Sequence, residues 1–265
     1  MKIGFVGAGN MGQSILKGLI NSGISQNDLV AITKTADSSK KIATDFKVHA
    51  SNKIEDIKDC DVVFIGVKPQ NINEVLPEIK KSLKDNALLI SLAVGIKTEN
   101  LEKSFENKVN VIRAMPNTPA LVGKGVTGLA KGKNATDVDL EIAQKLFSSV
   151  GKVVVVDENL IDVVAAASGS GPAYYFYVTE AITQAAIELG LSKEIAEVLV
   201  NNTFIGSAQL FENSNETVSE LRNKVTSPKG TTLAALENLN QNNFKEIWKQ
   251  ALQAAIKRAQ EISNS

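Results

Sequence analysis

Residues 3–12 read IGFVGAGNMG, a short apolar run that leads directly into a glycine-rich turn. The run from Ile3 to Val6 predicts a buried β-strand, and the residues after the turn carry apolar side chains with helical period. A GxGxxG turn between a strand and a helix is typical of dinucleotide-binding folds: the first glycine permits the tight turn, the second admits the pyrophosphate, and the third allows close packing. The predicted nucleotide loop consists of Gly7, Ala8, Gly9, Asn10, Met11 and Gly12.

The first 158 residues alternate β-rich runs with amphipathic stretches of helical period. This alternation predicts βαβ units around a parallel sheet, and apolar residues at consecutive positions indicate strands that are covered on both faces. The predicted strands are residues 3–6, 29–33, 48–50, 61–67, 87–94, 109–114 and 152–156. We therefore expect an α/β protein whose N-terminal domain, residues 1–158, is a Rossmann dinucleotide-binding domain.

From residue 159 to residue 265 the β signal disappears, and the sequence predicts an all-helical domain. The predicted helices are residues 160–167, 172–189, 192–212, 216–224, 230–239 and 242–263. The segment 173–189 is apolar on nearly every side, and such a helix must be buried all round. So small a domain can hardly cover it alone, so we expect the same domain of a second subunit to do so. The alternative is a core helix that is buried within one chain.

Composition narrows the class of partner. Lysine plus arginine equals aspartate plus glutamate at 29 each, so no net field attracts nucleic acid or an acidic membrane surface. One cysteine, Cys60, and one histidine, His49, exclude an internal disulfide framework and a conventional Cys/His metal site. No apolar run approaches the roughly 20 residues of a membrane span, and the N-terminal run is too short for a signal peptide. We expect a cytoplasmic protein that binds a small molecule and no metal.

Cofactor choice depends on the residues that end the second predicted strand. An NAD enzyme usually has a carboxylate there that bonds the ribose 2′-hydroxyl. This chain has Thr33, Lys34 and Thr35 instead, whose hydroxyls and cation suit a 2′-phosphate and favour NADPH. One alternative is that Lys34 is a solvated surface lysine. Asp37 then either caps the next helix or reaches the ribose, which would favour NADH.

Two further turns follow predicted parallel strands, at the edge where the ligand crevice of an open α/β sheet forms. Ordinary loop punctuation by proline and glycine is the alternative interpretation. Their position in the fold favours contact with the dinucleotide. The turns consist of Val67, Lys68 and Pro69 after the fourth strand, and of Ala93, Val94 and Gly95 at the end of the fifth.

Five motifs, spread from residue 7 to residue 232, resemble those of the pyrroline-5-carboxylate reductase family. Besides the glycine-rich loop they are VKP at residues 67–69, RAMPNTPA at 113–120, SGSGPAY at 168–174 and SPKGTT at 227–232. The resemblance implies an oxidoreductase that reduces 1-pyrroline-5-carboxylate to L-proline with NAD(P)H, the last step of proline biosynthesis. It also implies a helical domain that interlocks in a homodimer, often assembled further into a decamer.

The resemblance assigns roles to single residues. Asn52 would contact the dinucleotide together with the turns at 67–69 and 93–95, and Asn117 is a further cofactor-binding candidate. Thr231 and Thr232 would meet the substrate from the helical domain of the partner subunit, and Glu158 would lie near it.

The chain departs from the family pattern at two places. Lys229 replaces a glycine that is common in the family, and Thr217-Val218 stands where the family often has His-Pro. A side chain at position 229 would be strained if the backbone has a positive φ angle there. The lysine could also add a charge near the carboxylate of the substrate.

The implied chemistry needs no strong acid or base. A cyclic imine binds already protonated, and its carbon accepts hydride directly, so catalysis is mostly orientation at about 3 to 3.5 Å. Backbone N–H groups from Gly230 to Thr232 suit the substrate carboxylate. The Thr232 hydroxyl is the candidate catalytic group, as a hydrogen-bond partner of the ring nitrogen, and Ser170 is a weaker candidate. Helix capping is the alternative for each hydroxyl.

Two other functional classes fit part of the pattern. A β-hydroxyacid dehydrogenase has a similar two-domain architecture, but it needs a catalytic lysine on the first long helix of the second domain. Residues 173–189 contain no lysine. The other class is a nucleotide-sensing or scaffold protein that binds NADPH without turnover, and substrate-dependent NADPH oxidation distinguishes it.

Overall fold

The computed structural model describes residues 1–263, so the last two residues of the predicted helical domain lie outside it. The chain divides into two compact units. The Rossmann unit comprises Met1–Gly171 and the C-terminal residues from Ala254, and the helical unit comprises Pro172–Gln253. The domain boundary at residues 158/159 rests on the loss of the β signal and stays a prediction.

An eight-stranded sheet forms the centre of the Rossmann unit, in the order β3-β2-β1-β4-β5-β6-β7-β8. The strands β1 to β6 pair in parallel, β7 is antiparallel to β6, and β8 is parallel to β7. The strand order reverses between β1 and β4, where open α/β sheets form their ligand crevice. The strands are β1 (Ile3–Val6), β2 (Leu29–Ile32), β3 (His49–Ser51), β4 (Val62–Ile65), β5 (Leu88–Ser91), β6 (Asn110–Met115), β7 (Gly125–Lys131) and β8 (Gly151–Val155).

All seven predicted strands are present, but β7 was not predicted. Gly125 and Gly128 weaken the strand signal of this segment, because glycine is rare in strand interiors. Both glycines are explained by packing: a Cβ atom would lie 2.9 Å from the Cα of Ala120 at the first position and 2.7 Å from Val164 Cγ1 at the second. Ala120 lies in the turn just before this strand and Val164 lies much later in the chain, and the alternation of apolar residues reveals neither contact.

Helices cover both faces of the sheet and bury its side chains. Phe5 and Phe64 stack with ring centroids 4.7 Å apart on one face, and Phe147 meets Phe64 edge-on at 5.8 Å. Val63 and Leu89 belong to a second buried cluster. The helices of this unit are α1 (Asn10–Asn21), α2 (Ala36–Phe46), α3 (Ile72–Ser82), α4 (Thr98–Ser104), α5 (Asp137–Phe147) and α6 (Ile161–Val164).

The C-terminal part of the chain is helical, as predicted. The helices are α7 (Gly171–Glu188), α8 (Lys193–Glu212), α9 (Val218–Lys224), α10 (Thr231–Gln241) and α11 (Phe244–Ser263). The predicted helix 160–167 differs, because α6 is only one turn long and is followed by a π-helical turn, Ala165–Gly169. No helix in the described part of the chain is long and apolar enough to cross a membrane.

Almost nothing in the helical unit is buried within one chain. Among residues 172–253, only Pro172 and Ala196 are buried. Large apolar side chains of α7 are instead open to solvent: Phe176 is 65% exposed and Tyr177 is 70% exposed. The alternative that one chain buries this helix is therefore wrong. Soluble monomers rarely expose so much contiguous apolar surface, which points to a protein partner on α7 and α8.

Candidate active site

The glycine-rich loop joins β1 to α1, as predicted. Gly7 has a φ angle of 86°, and a Cβ atom there would lie 2.7 Å from Val67 Cγ1 and 2.8 Å from the carbonyl carbon of Gly66. Only glycine fits such a conformation at such a distance. The Gly7 N–H also donates to the Ile32 carbonyl oxygen at 2.9 Å. The loop therefore brings together the carboxyl ends of β1, β2 and β4.

The entrance to α1 is open. Gly9 precedes the helix without a side-chain cap, and a Cβ atom there would meet nothing within 4 Å. The first N–H groups of a helix lack internal acceptors, and the first turn of α1 has no acidic residue to repel an anion. This geometry fits a dinucleotide pyrophosphate. Gly12 makes only ordinary contacts, and the close approach of α1 lies instead at Gly18, where a Cβ atom would clash with Val150.

The three residues after β2 are not equivalent. Thr33 Oγ1 donates to the Thr35 carbonyl oxygen at 2.9 Å, and Thr35 accepts a hydrogen bond from Ser38 N and so caps α2. The alternative that Asp37 caps this helix is therefore wrong. Lys34 is exposed and has no hydrogen bond or ion pair with any residue that the structure describes. Lys34 is thus the group of the three that remains available to a phosphate.

The 3₁₀ turn after β3, Ile54–Ile57, holds a carboxylate, Asp56, that was not predicted as part of the site. Ser51 Oγ donates to Asp56 Oδ2 at 2.5 Å, and His49 Nε2 lies 2.9 Å from the same oxygen. These hydrogen bonds, that of Ser51 first, lower the pKa of Asp56, so it is ionised at neutral pH. Asn52, the predicted dinucleotide contact, follows Ser51 directly and is exposed. The positions of His49 and Asp56 in the sequence gave no sign that the two side chains are hydrogen-bonded.

The turns after β4 and β5 lie at the same edge of the sheet as Gly7, because both strands run parallel to β1. Val67 is half-buried and Lys68 is exposed, and a 3₁₀ turn begins at Pro69. After β5, Ala93 is buried, Val94 is half-buried, and Gly95 has a φ angle of 79°. Both predicted turns thus lie where the nucleotide crevice is expected.

Asn117, just beyond β6, is engaged inside the Rossmann unit. Its Nδ2 donates to Ser168 Oγ at 3.2 Å and to the Ser168 carbonyl oxygen at 3.3 Å, while its Oδ1 accepts from Val126 N at 2.9 Å. The amide thus joins β6, β7 and the π-helical turn. Its contact with the dinucleotide stays a prediction.

Glu158 and Ser170 lie on either side of α6. Both carboxylate oxygens of Glu158 accept hydrogen bonds from Thr98, one from its N–H and one from its hydroxyl, each at 2.7 Å. Ser170 is exposed, and its N–H closes the π-helical turn by donating to Ala165 O at 2.8 Å. Their predicted contact with substrate is not visible in these bonds and stays a prediction.

The SPKGTT motif forms a tight turn at the start of α10. Gly230 N donates to Ser227 O at 3.0 Å, Pro228 takes the second position, and Lys229 has a φ angle of 61°. These are features of a type II turn, whose third position normally requires glycine. The strain expected from the lysine substitution is therefore present. Gly230 is the N-cap of α10 without a side-chain bond, so helix capping does not occupy the threonine hydroxyls that follow.

The single cysteine is not a candidate nucleophile at neutral pH. Burial raises the pKa of the Cys60 thiol to about 11, so it stays protonated and is a poor nucleophile. Within residues 1–263, no cluster of three or more histidine, cysteine, aspartate or glutamate side chains could hold a metal ion.

The glycine loop, the sheet order and the helical C-terminal part define a class: a nicotinamide-dependent oxidoreductase of two-domain architecture. Two family models match the chain. Residues 2–95 match the model of NADP oxidoreductases described as coenzyme F420-dependent, and residues 158–262 match the model of pyrroline-5-carboxylate reductase dimerisation.

Individual proteins are similar over the whole chain. The pyrroline-5-carboxylate reductase of Pseudomonas aeruginosa is 39% identical, over 99% of this chain and 97% of that protein. The structure of the reductase from Coxiella burnetii has a TM-score of 0.93 and 38% identity, covering 100% of this chain and 99% of that one. The Plasmodium falciparum pyrroline carboxylate reductase with NADP bound has a TM-score of 0.86 and 30% identity, covering 99% and 98%.

The chain therefore belongs to the pyrroline-5-carboxylate reductase family. It is an NADP-dependent oxidoreductase that reduces 1-pyrroline-5-carboxylate to proline, and its dimerisation domain makes it a homo-oligomer. The family indicated by the five motifs and the fold class predicted from the strand and helix patterns are both confirmed.

Proposed function

We propose that this chain carries out the reduction with NADPH bound along the carboxyl edge of β1, β2, β4 and β5, and with the imine oriented by Thr231 and Thr232. One observation supports this most strongly: both threonines stand at an uncapped helix N-terminus, and neither hydroxyl has a hydrogen-bond partner among residues 1–263. Two free hydroxyls beside free backbone N–H groups suit a small cyclic imino acid.

The Rossmann unit would hold the cofactor. The open N-terminus of α1 behind Gly9 would take the pyrophosphate, and the exposed Lys34 would pair with the 2′-phosphate and so favour NADPH over NADH. Asn52, the turns 67–69 and 93–95, and Asn117 would contact the rest of the dinucleotide. When bound, NADPH supplies the hydride that reduces the C=N bond.

The start of α10 would hold the substrate. Its first N–H groups, at the positive end of the helix dipole, suit the α-carboxylate. The protonated ring nitrogen would donate a hydrogen bond to Thr232 Oγ1, while Thr231, Ser170 and Glu158 complete the surroundings. Because the iminium form brings its own proton, the chain needs no acid at the carbon that accepts hydride. The protonated Cys60 and the Asp56-paired His49 are consistent with that.

Assembly and location complete the proposal. A second copy would cover α7 and α8 as a homodimer, which can associate further into a decamer, and Thr231 and Thr232 would act on the substrate bound to the partner subunit. The dimerisation model begins at residue 158, which supports a division into domains 1–158 and 159–265. The enzyme would act in the cytoplasm.

The purified protein tests this directly. With 1-pyrroline-5-carboxylate it should oxidise NADPH and form L-proline in equal amounts, and it should do so more slowly with NADH. NADPH binding without substrate-dependent oxidation would instead identify a nucleotide-binding protein without turnover.

A further inference from the structure

Arg113 is a buried cation that has no part in the proposed nucleotide and substrate contacts. It lies within β6, paired with Ser91 of β5 and Ala130 of β7, and its side chain is 2% exposed. Val111 and Met115, which share its face of the strand, belong to apolar clusters. A charge in such surroundings is costly unless it is paired and hydrogen-bonded.

The partners of Arg113 lie on the segment that leaves the sheet, residues 158–170, which we call the exit segment. Its NH2 donates to Asp162 Oδ1 at 2.8 Å, and its NH1 lies 3.7 Å from Glu158 Oε1. Glu158 is fixed from its other side, because both its oxygens bond Thr98 at the start of α4. Arg113 therefore ties β6, α4 and the beginning of the exit segment together through two carboxylates.

The next side chains on the same face of β6 hold the other end of the exit segment. Met115 Sδ lies 3.5 Å from the position that a Cβ atom would take on Gly169, and Asn117 Nδ2 donates to Ser168. The turn between these contacts is π-helical. Such turns are rare, and they occur frequently at functional sites.

This arrangement places the exit segment at the edge of the nucleotide crevice. The strands β5 and β6 run in parallel register, with Ser91 opposite Arg113, and β5 leads into the turn 93–95. The residues held by Met115 and Asn117 therefore lie at the same edge of the sheet as that turn.

We propose that Arg113 is a positioning residue for the reduction: it anchors the exit segment so that Ser168 to Ser170 keep a fixed place beside the crevice. It does so without touching cofactor or substrate. This inference rests on the proposed location of the dinucleotide. Well-packed apolar residues would stabilise the fold at least as well as a buried ion pair does. The role that fits the charge of Arg113 is therefore to fix the geometry of the exit segment rather than to stabilise the fold.

The test compares Arg113→Lys with Asp162→Asn. The lysine keeps the charge but loses the planar fork that spans two carboxylates, and the asparagine keeps the shape but removes the nearest charge. Arg222→Lys is the matched control, because Arg222 is an exposed arginine of α9. The wild-type protein is assayed first with pyrroline-5-carboxylate, so that its inactivity would count against the proposed function and not against the anchor.

Four quantities are measured on each variant: the Kd of NADPH, kcat, the melting temperature, and the primary deuterium isotope effect on kcat with 4-deuterated NADPH. For Arg113→Lys we expect a Kd within about twofold of wild type, a kcat roughly tenfold lower, and a larger isotope effect, because misplacement slows hydride transfer selectively. Asp162→Asn should change kcat and the isotope effect in the same directions, about threefold in kcat. Folded Arg113→Lys and Asp162→Asn variants with wild-type kcat and isotope effect, whatever their melting temperature, would overturn the proposal.

Discussion

The helices α1 and α7 show how differently the two units are built. In α1, Ile15, Leu16 and Leu19 are at most 1% exposed, since the sheet of the same chain covers them. In α7, most large apolar side chains remain open to solvent. The Rossmann unit thus completes its core within one chain, whereas the helical unit requires a second copy. We therefore expect the proposed nucleotide half of the site to depend on one chain alone and the proposed substrate half to depend on assembly.

The largest effect should come from a charge on α7. Ile182 is 53% exposed in one chain, but in a dimer Ile182→Asp would bury an unpaired carboxylate at a cost of several kcal/mol. We expect loss of the oligomer and of activity, measured by light scattering and turnover. Val138→Asp, on the Rossmann helix α5, is the control. Val138 is 64% exposed, and its replacement should change stability by less than about 0.5 kcal/mol. If both variants keep, or both lose, the oligomer and its activity, α7 is not the surface on which the second copy packs.

The next largest effect should come from the glycine loop. In Gly7→Ala a residue with a side chain must take a positive φ angle, and its Cβ atom meets the turn between β4 and α3. The binding free energy of NADPH should therefore weaken by about 3 kcal/mol, with the oligomer intact. Gly12→Ala is the matched change, and it should cost less than about 1 kcal/mol because a Cβ atom there meets its nearest neighbour at 3.5 Å. Titration of NADPH by fluorescence measures both, and similar affinities would show that the loop does not hold the cofactor.

Thr232→Val tests the substrate half. Loss of one hydrogen bond to the ring nitrogen should cost about 1 to 3 kcal/mol, roughly tenfold to a hundredfold in kcat/KM, with NADPH affinity nearly unchanged. His49→Asn is the control and should leave turnover at saturating substrate close to wild type. An inactive but folded His49→Asn would contradict the direct iminium mechanism, and an unchanged Thr232→Val would leave that hydroxyl without a role.

Sequence patterns predicted the Rossmann unit well because its signals are local. The strand at 3–6, the glycine turn and the helix after it are all encoded within about twenty neighbouring residues. The strand β7 was not predicted because glycine is rare in strands, whereas its two glycines are required by packing against Ala120 of the preceding turn and Val164 of α6. The bonds of Asn117 to Ser168 and of Glu158 to Thr98 span 51 and 60 residues, and such pairings have no local signature.

The helical unit was predicted from an incongruity. The helix α7 has no polar face, and its domain is too small to bury it on every side. A second subunit was therefore expected to cover it. What the pattern could not supply was the substrate site, which came from the resemblance of SPKGTT. The free state of the threonine hydroxyls became visible only when the structure placed the helix cap on Gly230.

Lys34→Asp tests whether Lys34 binds the 2′-phosphate of NADPH. The aspartate would repel the 2′-phosphate that the lysine attracts, and we expect this to cost about 1.4 kcal/mol of binding free energy. The kcat/KM for NADPH should therefore fall about tenfold relative to that for NADH. Lys145→Asp, on α5, is the matched charge reversal. If the ratio of kcat/KM for the two cofactors is the same in wild type and Lys34→Asp, Lys34 does not read the phosphate.

The smallest effect is expected at Lys229. Lys229→Gly removes a side chain from positive φ, which should raise the free energy of unfolding by about 1 kcal/mol. Lys257→Gly, an exposed position inside α11, should lower it by about the same amount, because glycine is unfavourable within a helix. Denaturant midpoints measure both, and a loss of stability in Lys229→Gly would mean that the lysine makes a compensating contact in the assembly.

The most direct test of the difference between the two units is the mass of the wild-type protein in solution, measured by light scattering over a dilution series with turnover followed in parallel. We expect a dimer or a larger assembly at micromolar concentration, with activity lost as the assembly dissociates. A monomeric mass with full activity would contradict it, because one chain would then complete the helical unit and its substrate site alone.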